Sequence, residues 1–172
     1  MMGNIGTQRA TLPSIASVMS ATQDQPATVF TGRFRHGIDG SRRVMVPSKW
    51  RPKSGKSELT ILPWPIGEQQ YLLVLPPARW AVLLERLNEM SLSDDEAAVV
   101  ERVIGGSSAH VKLDKVGRLC LPEELANVAG IKQEAVLVGR LNKFEIWAPD
   151  RFDETNQGSE AVAAAAIKNL NL

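Results

Sequence analysis

A nine-residue block occurs twice in this chain. The first copy runs from Asp39 to Pro47 and the second from Asp114 to Pro122, and each reads Asp, three residues, Arg, three apolar residues and Pro. Every landmark of the second copy follows its counterpart by 75 residues. A shorter similarity relates the segments that begin at Pro77 and Pro149. Because an internal repeat determines which folds are possible, we interpret the chain as a tandem duplication.

Hydrophobic patterning predicts the same order of elements in both repeats. Strands are expected over residues 30–38, 43–46, 58–62 and 71–75, and again over 109–113, 118–121, 135–138 and 144–147. Pro47 and Pro122 each suit the first turn of a short helix, and Gly130 is expected to end the second one. Each repeat is therefore predicted to be a β-α-β-β unit.

The segment between the repeats is predicted to be helical. Apolar residues recur at helical spacing over 77–90. Ser93 and Glu96 have the spacing of a capping box, so they are expected to begin a second helix that Gly105 ends. Beyond residue 154, the run Ala161–Ala166 is predicted to form either a helix with little burial or a disordered tail.

The motifs resemble a known family. The paired Asp-x-x-x-Arg blocks, the junction Gly105-Gly106-Ser107-Ser108-Ala109 and the segment Phe144-Glu145-Ile146-Trp147 are similar to MraZ-type proteins, which contain two SpoVT-AbrB domains. The resemblance covers about residues 30–154. That family usually has glycine directly before the motif arginine, where this chain has Gly117 in the second copy and Arg42 in the first.

Strands this short cannot bury an apolar face alone, so the two repeats are expected to share one core. The resemblance implies an α+β fold in which the tandem repeats form one pseudo-twofold, swapped-hairpin (AbrB-like) β-barrel with a helical insert. The expected organisation is a disordered N-terminal tail (1–29), a first repeat (30–76), the insert (77–106), a second repeat (107–154) and a C-terminal tail (155–172).

Charge is distributed unevenly although the formal net charge is only +1. Residues 33–56 contain eight Lys or Arg and one acid, whereas residues 85–101 contain six acids and one arginine. Such asymmetry favours one face for a polyanion and another for solvent or partner subunits. No apolar run approaches the roughly 20 residues of a membrane-spanning helix, so no membrane partner is expected. A single cysteine fits a reducing cytosol.

The sequence contains no pattern typical of an enzyme. Cys120 lies within a predicted strand and is expected to be a small packed residue rather than a nucleophile. His36 and His110 are isolated, and no spacing indicates a metal site. A glycine-rich phosphate loop is also missing. We therefore predict no catalytic residue, no metal, no cofactor and no small-molecule substrate.

The motif residues have two interpretations. Asp39 and Asp114 can accept hydrogen bonds from the N–H groups of their own turns, and each arginine can fold back onto that carboxylate. Alternatively, the turns carry the arginines outward, and the resemblance implicates these loops in DNA contact. Gly117 is expected to be a structural turn residue. The DNA-binding candidates are Arg43, Arg118, Arg42, Lys115, Arg33 and Arg35.

The resemblance implies a cytoplasmic, nucleoid-associated transcriptional regulator, mostly a repressor, of the bacterial division and cell-wall gene cluster. It further implies a ring-shaped homo-oligomer that presents the motif loops to direct repeats in double-stranded promoter DNA. The alternative is an AbrB-like antitoxin or other protein-interaction module, with the acidic insert as a partner surface. Salt-sensitive DNA binding would distinguish the two classes.

Overall fold

The computed structural model describes residues 28–52, 58–65, 69–90 and 93–168. The N-terminal tail predicted from the sequence lies almost wholly outside these ranges.

The first repeat contains β1 (Arg33–Gly37), β2 (Arg43–Met45), a 3-10 helix (Ser48–Trp50), β3 (Leu59–Trp64) and β4 (Tyr71–Leu75). The insert contains α1 (Pro77–Asn88) and α2 (Asp94–Ser107). The second repeat contains β5 (Ala109–Val111), β6 (Arg118–Cys120), α3 (Glu123–Val128), β7 (Glu134–Gly139) and β8 (Phe144–Trp147). Two helices follow, α4 (Pro149–Asn156) and α5 (Ser159–Ile167).

The strands of the two repeats are interleaved. Six of them form one antiparallel sheet in the order β1-β7-β8-β4-β3-β5. The first strand of each repeat pairs with the third strand of the other, β1 with β7 and β5 with β3, while β4 and β8 meet at the centre. The remaining strands, β2 and β6, pair with each other as a two-stranded ribbon. The mixed α+β class is confirmed.

The closed barrel is not confirmed. In the described ranges the six-stranded sheet is open, with β1 and β5 at its edges. The ribbon strands contain three residues each and bond to one another rather than closing the sheet. In the described ranges, two isolated bridges connect the ribbon to the segments that precede it. Ile38, which follows β1, bridges to Val44 of β2, and Leu113, which follows β5, bridges to Leu119 of β6.

Apolar side chains cover both faces of the sheet. Successive strand residues point to opposite faces, so Ile61 packs in one cluster and Leu62 in the other. The first cluster lies between the sheet, the ribbon and α3, and includes Trp50 and Phe144. The second lies beneath the insert helices and α4. This two-sided burial explains why β3 and β4 are almost continuously apolar.

Two helix ends agree with the sequence predictions and a third does not. Ser93 and Glu96 form the capping box that begins α2. Gly130, with φ +68°, follows the end of α3. The prediction that Gly105 ends α2 is wrong, because the helix continues to Ser107. Glycine tolerates helical dihedrals, and the adjacent Ile104 is buried against the sheet, so packing outweighs the weak propensity.

Candidate nucleic-acid interface

The β2–β6 ribbon has an inner and an outer face. Val44 pairs with Leu119, and both side chains are fully buried in the core. Since alternate residues point to opposite faces, their neighbours lie on the outer face. That face carries Arg43, Met45, Arg118 and Cys120. The two motif arginines therefore come from different repeats but lie on one small surface.

Both motif turns are organised by their aspartate. The backbone N–H of Arg42 donates to the carbonyl of Asp39 at 2.9 Å, and the equivalent bond in the second copy, from Gly117 to Asp114, is 3.0 Å. Asp39 Oδ1 also accepts the N–H groups of Ser41 and Arg43. Asp114 Oδ1 accepts the corresponding pair from Val116 and Arg118. The structure thus places the two aspartates in equivalent Asx-type turns.

Each arginine folds back onto the second oxygen of its aspartate. Arg43 Nε donates to Asp39 Oδ2 at 2.8 Å, and Arg118 Nε donates to Asp114 Oδ2 at 2.7 Å. Arg118 Nη1 also lies 3.6 Å from Asp39 Oδ2, which links the two copies. The arginine side chains are about a third exposed, at 38% and 31%. The carboxylates hold one edge of each guanidinium and leave the remainder at the surface.

The carboxylates are held in their charged form. The backbone N–H of Arg43, followed by its guanidinium, lowers the pKa of Asp39 below its usual value. The backbone N–H of Arg118, again followed by the guanidinium, lowers the pKa of Asp114 to about 2. Both groups therefore remain anionic at neutral pH and continue to orient the arginines.

The residue before each motif arginine has a positive φ, +58° at Arg42 and +89° at Gly117. Arg51 lies over Gly117 so closely that a Cβ there would collide with its guanidinium. Arg51 Nε donates to the carbonyl of Val46, and Arg42 Nε donates to the carbonyl of Leu121, which is the equivalent position 75 residues later. The equivalent carbonyls of the two repeats therefore each accept a guanidinium N–H, but the two arginines occupy different positions in the repeat.

Arg42 makes a second polar contact. Its Nη1 lies 3.5 Å from Glu123 Oε2, at the start of α3. The arginine that replaces the usual glycine at this position thus joins the first turn to the second repeat. Arg51 belongs to the basic segment, but the sequence provides no signal for its contact with Gly117, because the two are 66 residues apart.

The other candidate residues lie in different surroundings. Lys115 is exposed at the tip of the second turn and forms no ion pair with any residue that the structure describes. Arg33 packs on the ring of Phe152, and Arg35 pairs with Glu134 and Asp153. The structure therefore brings Arg33 and Arg35 to β7 and α4, not to the motif turns.

Cys120 differs from its prediction. It is exposed rather than packed, because it lies on the outer face of the ribbon. Within the described ranges no three His, Cys, Asp or Glu residues are grouped as a metal site would require. None of the described helices is long and apolar enough to cross a membrane.

Comparison with known proteins identifies the family. The family model "MraZ protein, putative antitoxin-like" matches this chain twice, over residues 29–103 and 106–170. The chain belongs to the MraZ family. The two matches correspond to the two halves of the MraZ duplication and meet at the glycines near the end of α2.

Curated MraZ relatives extend over most of the chain. A protein named transcriptional regulator MraZ from Natranaerobius thermophilus is 31% identical over 133 residues, covering 77% of this chain and 90% of the relative. The protein of the same name from Desulfitobacterium hafniense is 33% identical over 145 residues, covering 84% and 99%. That from Thermomicrobium roseum is 34% identical over 125 residues, covering 72% and 84%.

Proposed function

We propose that this MraZ-family chain is a transcriptional regulator that binds double-stranded DNA through the outer face of the β2–β6 ribbon and its two turns. The observation that carries the proposal is the joint placement of Arg43 and Arg118, each about a third exposed, on the outer face of the ribbon. The major groove of DNA admits a two-stranded β-ribbon, and an arginine fork matches the O6 and N7 acceptors of guanine. The names of the curated relatives support the regulatory role.

The aspartates act in this proposal as positioning residues. Each uses its carboxylate to fix the Nε edge of an arginine, so less side-chain freedom is lost on binding. The Nη groups of Arg43, and the Nη2 of Arg118, stay available to a base edge or a phosphate, while Arg118 Nη1 faces Asp39. Lys115, at the exposed turn tip, and Arg42 would contact phosphates. Arg33 and Arg35 remain predicted DNA contacts, but we expect smaller losses there because they lie against β7 and α4 rather than at the ribbon turns.

We further propose that the functional unit is a ring-shaped homo-oligomer. One ribbon offers few cations, and each phosphate contact is weakened by salt, so a single chain would bind poorly. Several ribbons on spaced direct repeats would bind with a high effective concentration. By resemblance, the target is the promoter of the division and cell-wall gene cluster, its own gene included. The resemblance also favours repression and a cytoplasmic, nucleoid-associated location.

The direct test is a titration of purified protein with the DNA upstream of its own gene and with scrambled DNA of equal composition, at about 50 and 200 mM salt. We expect preferential, salt-sensitive binding that Arg43→Ala and Arg118→Ala each weaken by about tenfold or more. Arg43→Lys keeps the charge but not the fork, so it should lose preference more than total binding. Arg102→Ala, an exposed arginine on α2, is the matched control.

The proposal is wrong if both DNAs bind equally and feebly, or if the arginine variants lower the melting temperature by many degrees while affinity is unchanged. Equal, feeble binding would favour the antitoxin class. A tight complex with a protein partner that is insensitive to the arginine substitutions would then be expected.

A further inference from the structure

A cleft of about 230 Å³ lies on the face of the sheet away from the ribbon, between α1 and the sheet. Its floor is apolar and includes Leu73 and Leu75 from β4, Leu83 from α1 and Trp64 from β3. Leu73 and Leu75 belong to the second core cluster, whereas the ribbon packs on the first. The cleft is therefore structurally separate from the proposed DNA-binding face.

Four cationic side chains line this cleft. Arg79 and Arg86 come from α1, and Arg140 and Lys143 come from the β7–β8 connection. Arg140 donates to Glu145 at 2.7 Å. The other three form no ion pair with the residues in the described ranges.

The cations are close enough to affect one another. Desolvation lowers the pKa of Lys143, and the charges of Arg140, Arg79 and Arg86 lower it further, while Glu145 opposes them. An anion in the cleft would relieve this repulsion, and an apolar body attached to it would cover the floor. Ligand sites typically combine an apolar lining with a few convergent polar groups.

We propose that this cleft binds a small organic anion, a compact apolar or aromatic body that carries one carboxylate. Arg79, Arg86 and Lys143 would hold the carboxylate, and the floor formed by Trp64 and the leucines would hold the body. The volume suits one ring system and is too small for a helix, whose diameter is about 10 Å. This proposal goes beyond DNA binding and does not depend on it.

The test uses 2-naphthoate, with 2-naphthamide as its neutral counterpart of similar shape. Binding is followed in the full chain through the indole N–H resonance of Trp64, assigned by its loss in Trp64→Phe. We expect naphthoate to shift that resonance with a dissociation constant below about 1 mM, and naphthamide to bind at least about tenfold more weakly. Arg79→Gln/Arg86→Gln should remove the difference, whereas Arg102→Gln, outside the cleft, should preserve it.

Lys143→Gln provides a second variant should the double substitution disturb folding, which circular dichroism reports. Equal binding of both probes would overturn the anion requirement, and no binding to folded protein would overturn the site. If naphthoate fails to bind and the Arg79→Gln/Arg86→Gln variant instead dissociates an oligomer, the cleft holds an acidic side chain of a second copy and the ligand proposal is wrong. The cleft variants should bind DNA with unchanged affinity. Failure of the ligand proposal is therefore distinguishable from failure of the proposed DNA-binding function.

Discussion

Two different residues occupy the left-handed position of the motif turns. Gly117 adopts its φ of +89° without steric penalty, whereas Arg42 at +58° incurs a strain of about 1 kcal/mol. The hydrogen bond from Arg42 to the carbonyl of Leu121 and its ion pair with Glu123 offset this strain. Over the second turn, Arg51 donates to the carbonyl of Val46, the counterpart of Leu121, and needs a glycine beneath it at position 117. The two turns thus reach one geometry with different side chains.

Gly117→Ala should therefore be strongly destabilising for a single methyl group. The new Cβ would require a positive φ and would collide with the guanidinium of Arg51, so we expect the free energy of unfolding to fall by about 1–3 kcal/mol. The measurement is urea-induced unfolding. Gly40→Ala is the matched control, because open space surrounds its Cβ position, and it should change stability by less than about 0.5 kcal/mol. Equal effects of the two substitutions would contradict the role of Arg51.

Acid should weaken the second turn through Asp114. Its pKa is lowered from 3.8 to about 2 in the folded chain, chiefly by the N–H of Arg118. Because the folded-state pKa is below the unfolded one, the carboxylate stabilises the fold fully above about pH 4, and this contribution is lost as the pH falls toward 2. Asp114→Asn cannot titrate, so its melting temperature should vary less with pH across that window.

Glu101→Gln serves as the control for this measurement because the residue is exposed and lies within α2, away from its first turn. It should retain the wild-type pH profile. If the melting temperatures of Asp114→Asn and wild type fall by the same amount between about pH 4 and 2, the turn does not depend on the charge of Asp114.

At the level of single elements, α2 begins at a reciprocal cap. Ser93 Oγ accepts the N–H of Glu96, and Glu96 accepts the N–H of Ser93 at 3.0 Å. These bonds satisfy N–H groups that have no partner within the helix. At the opposite end Ser108 Oγ donates to the carbonyl of Gly105 at 3.3 Å, and the helix runs through two glycines because Ile104 is anchored in the core.

Ser93→Ala should lower the free energy of unfolding by about 1 kcal/mol, since it removes the cap that begins α2. Glu96→Gln keeps an acceptor for the Ser93 N–H but removes the charge at the positive end of the helix dipole, so a smaller loss is expected. Urea unfolding measures both. Ser41→Ala, an exposed serine outside any helix, is the reference, and a Ser93→Ala loss no larger than that of Ser41→Ala would contradict the cap.

At the scale of the whole molecule, each repeat supplies only one of its own strand pairs within the sheet, β3 with β4 and β7 with β8, and depends on the other repeat for the rest. β1 needs β7, β5 needs β3, and each ribbon strand needs the other. A repeat by itself would expose unpaired strand edges and the apolar inner face of half a ribbon. The duplication therefore behaves as one cooperative unit, and the insert is the covalent link between its halves.

Separated halves should consequently be unfolded. We expect fragments 28–106 and 107–168 each to lack the native circular dichroism signal and an equimolar mixture to recover it, because mixing restores the pairs between the repeats. The full chain is the reference for the recovered signal. A fragment that melts cooperatively as a monomer would contradict the dependence of each half on strands from the other.

Local chemistry in the sequence was enough to define the repeated units. The 75-residue offset identified two similar halves, strand and helix patterns predicted their element order, and Ser93 with Glu96 predicted a cap that the structure contains. These signals succeed because turns, caps and hydrophobic periodicity depend on residues within a few positions of one another. The family resemblance also came from the repeated motif and is confirmed.

Tertiary structure decided what involves distant residues. It exposed Cys120, extended α2 past Gly105, placed Arg51 over Gly117 and left the main sheet open within the described ranges. It also brought Arg79 and Lys143, 64 residues apart in the chain, to one cleft. Apolar strands of similar length can pair in several ways, and only the joint packing of both repeats selects one. Which side chains share a surface is therefore a property of the assembled core, not of any single segment.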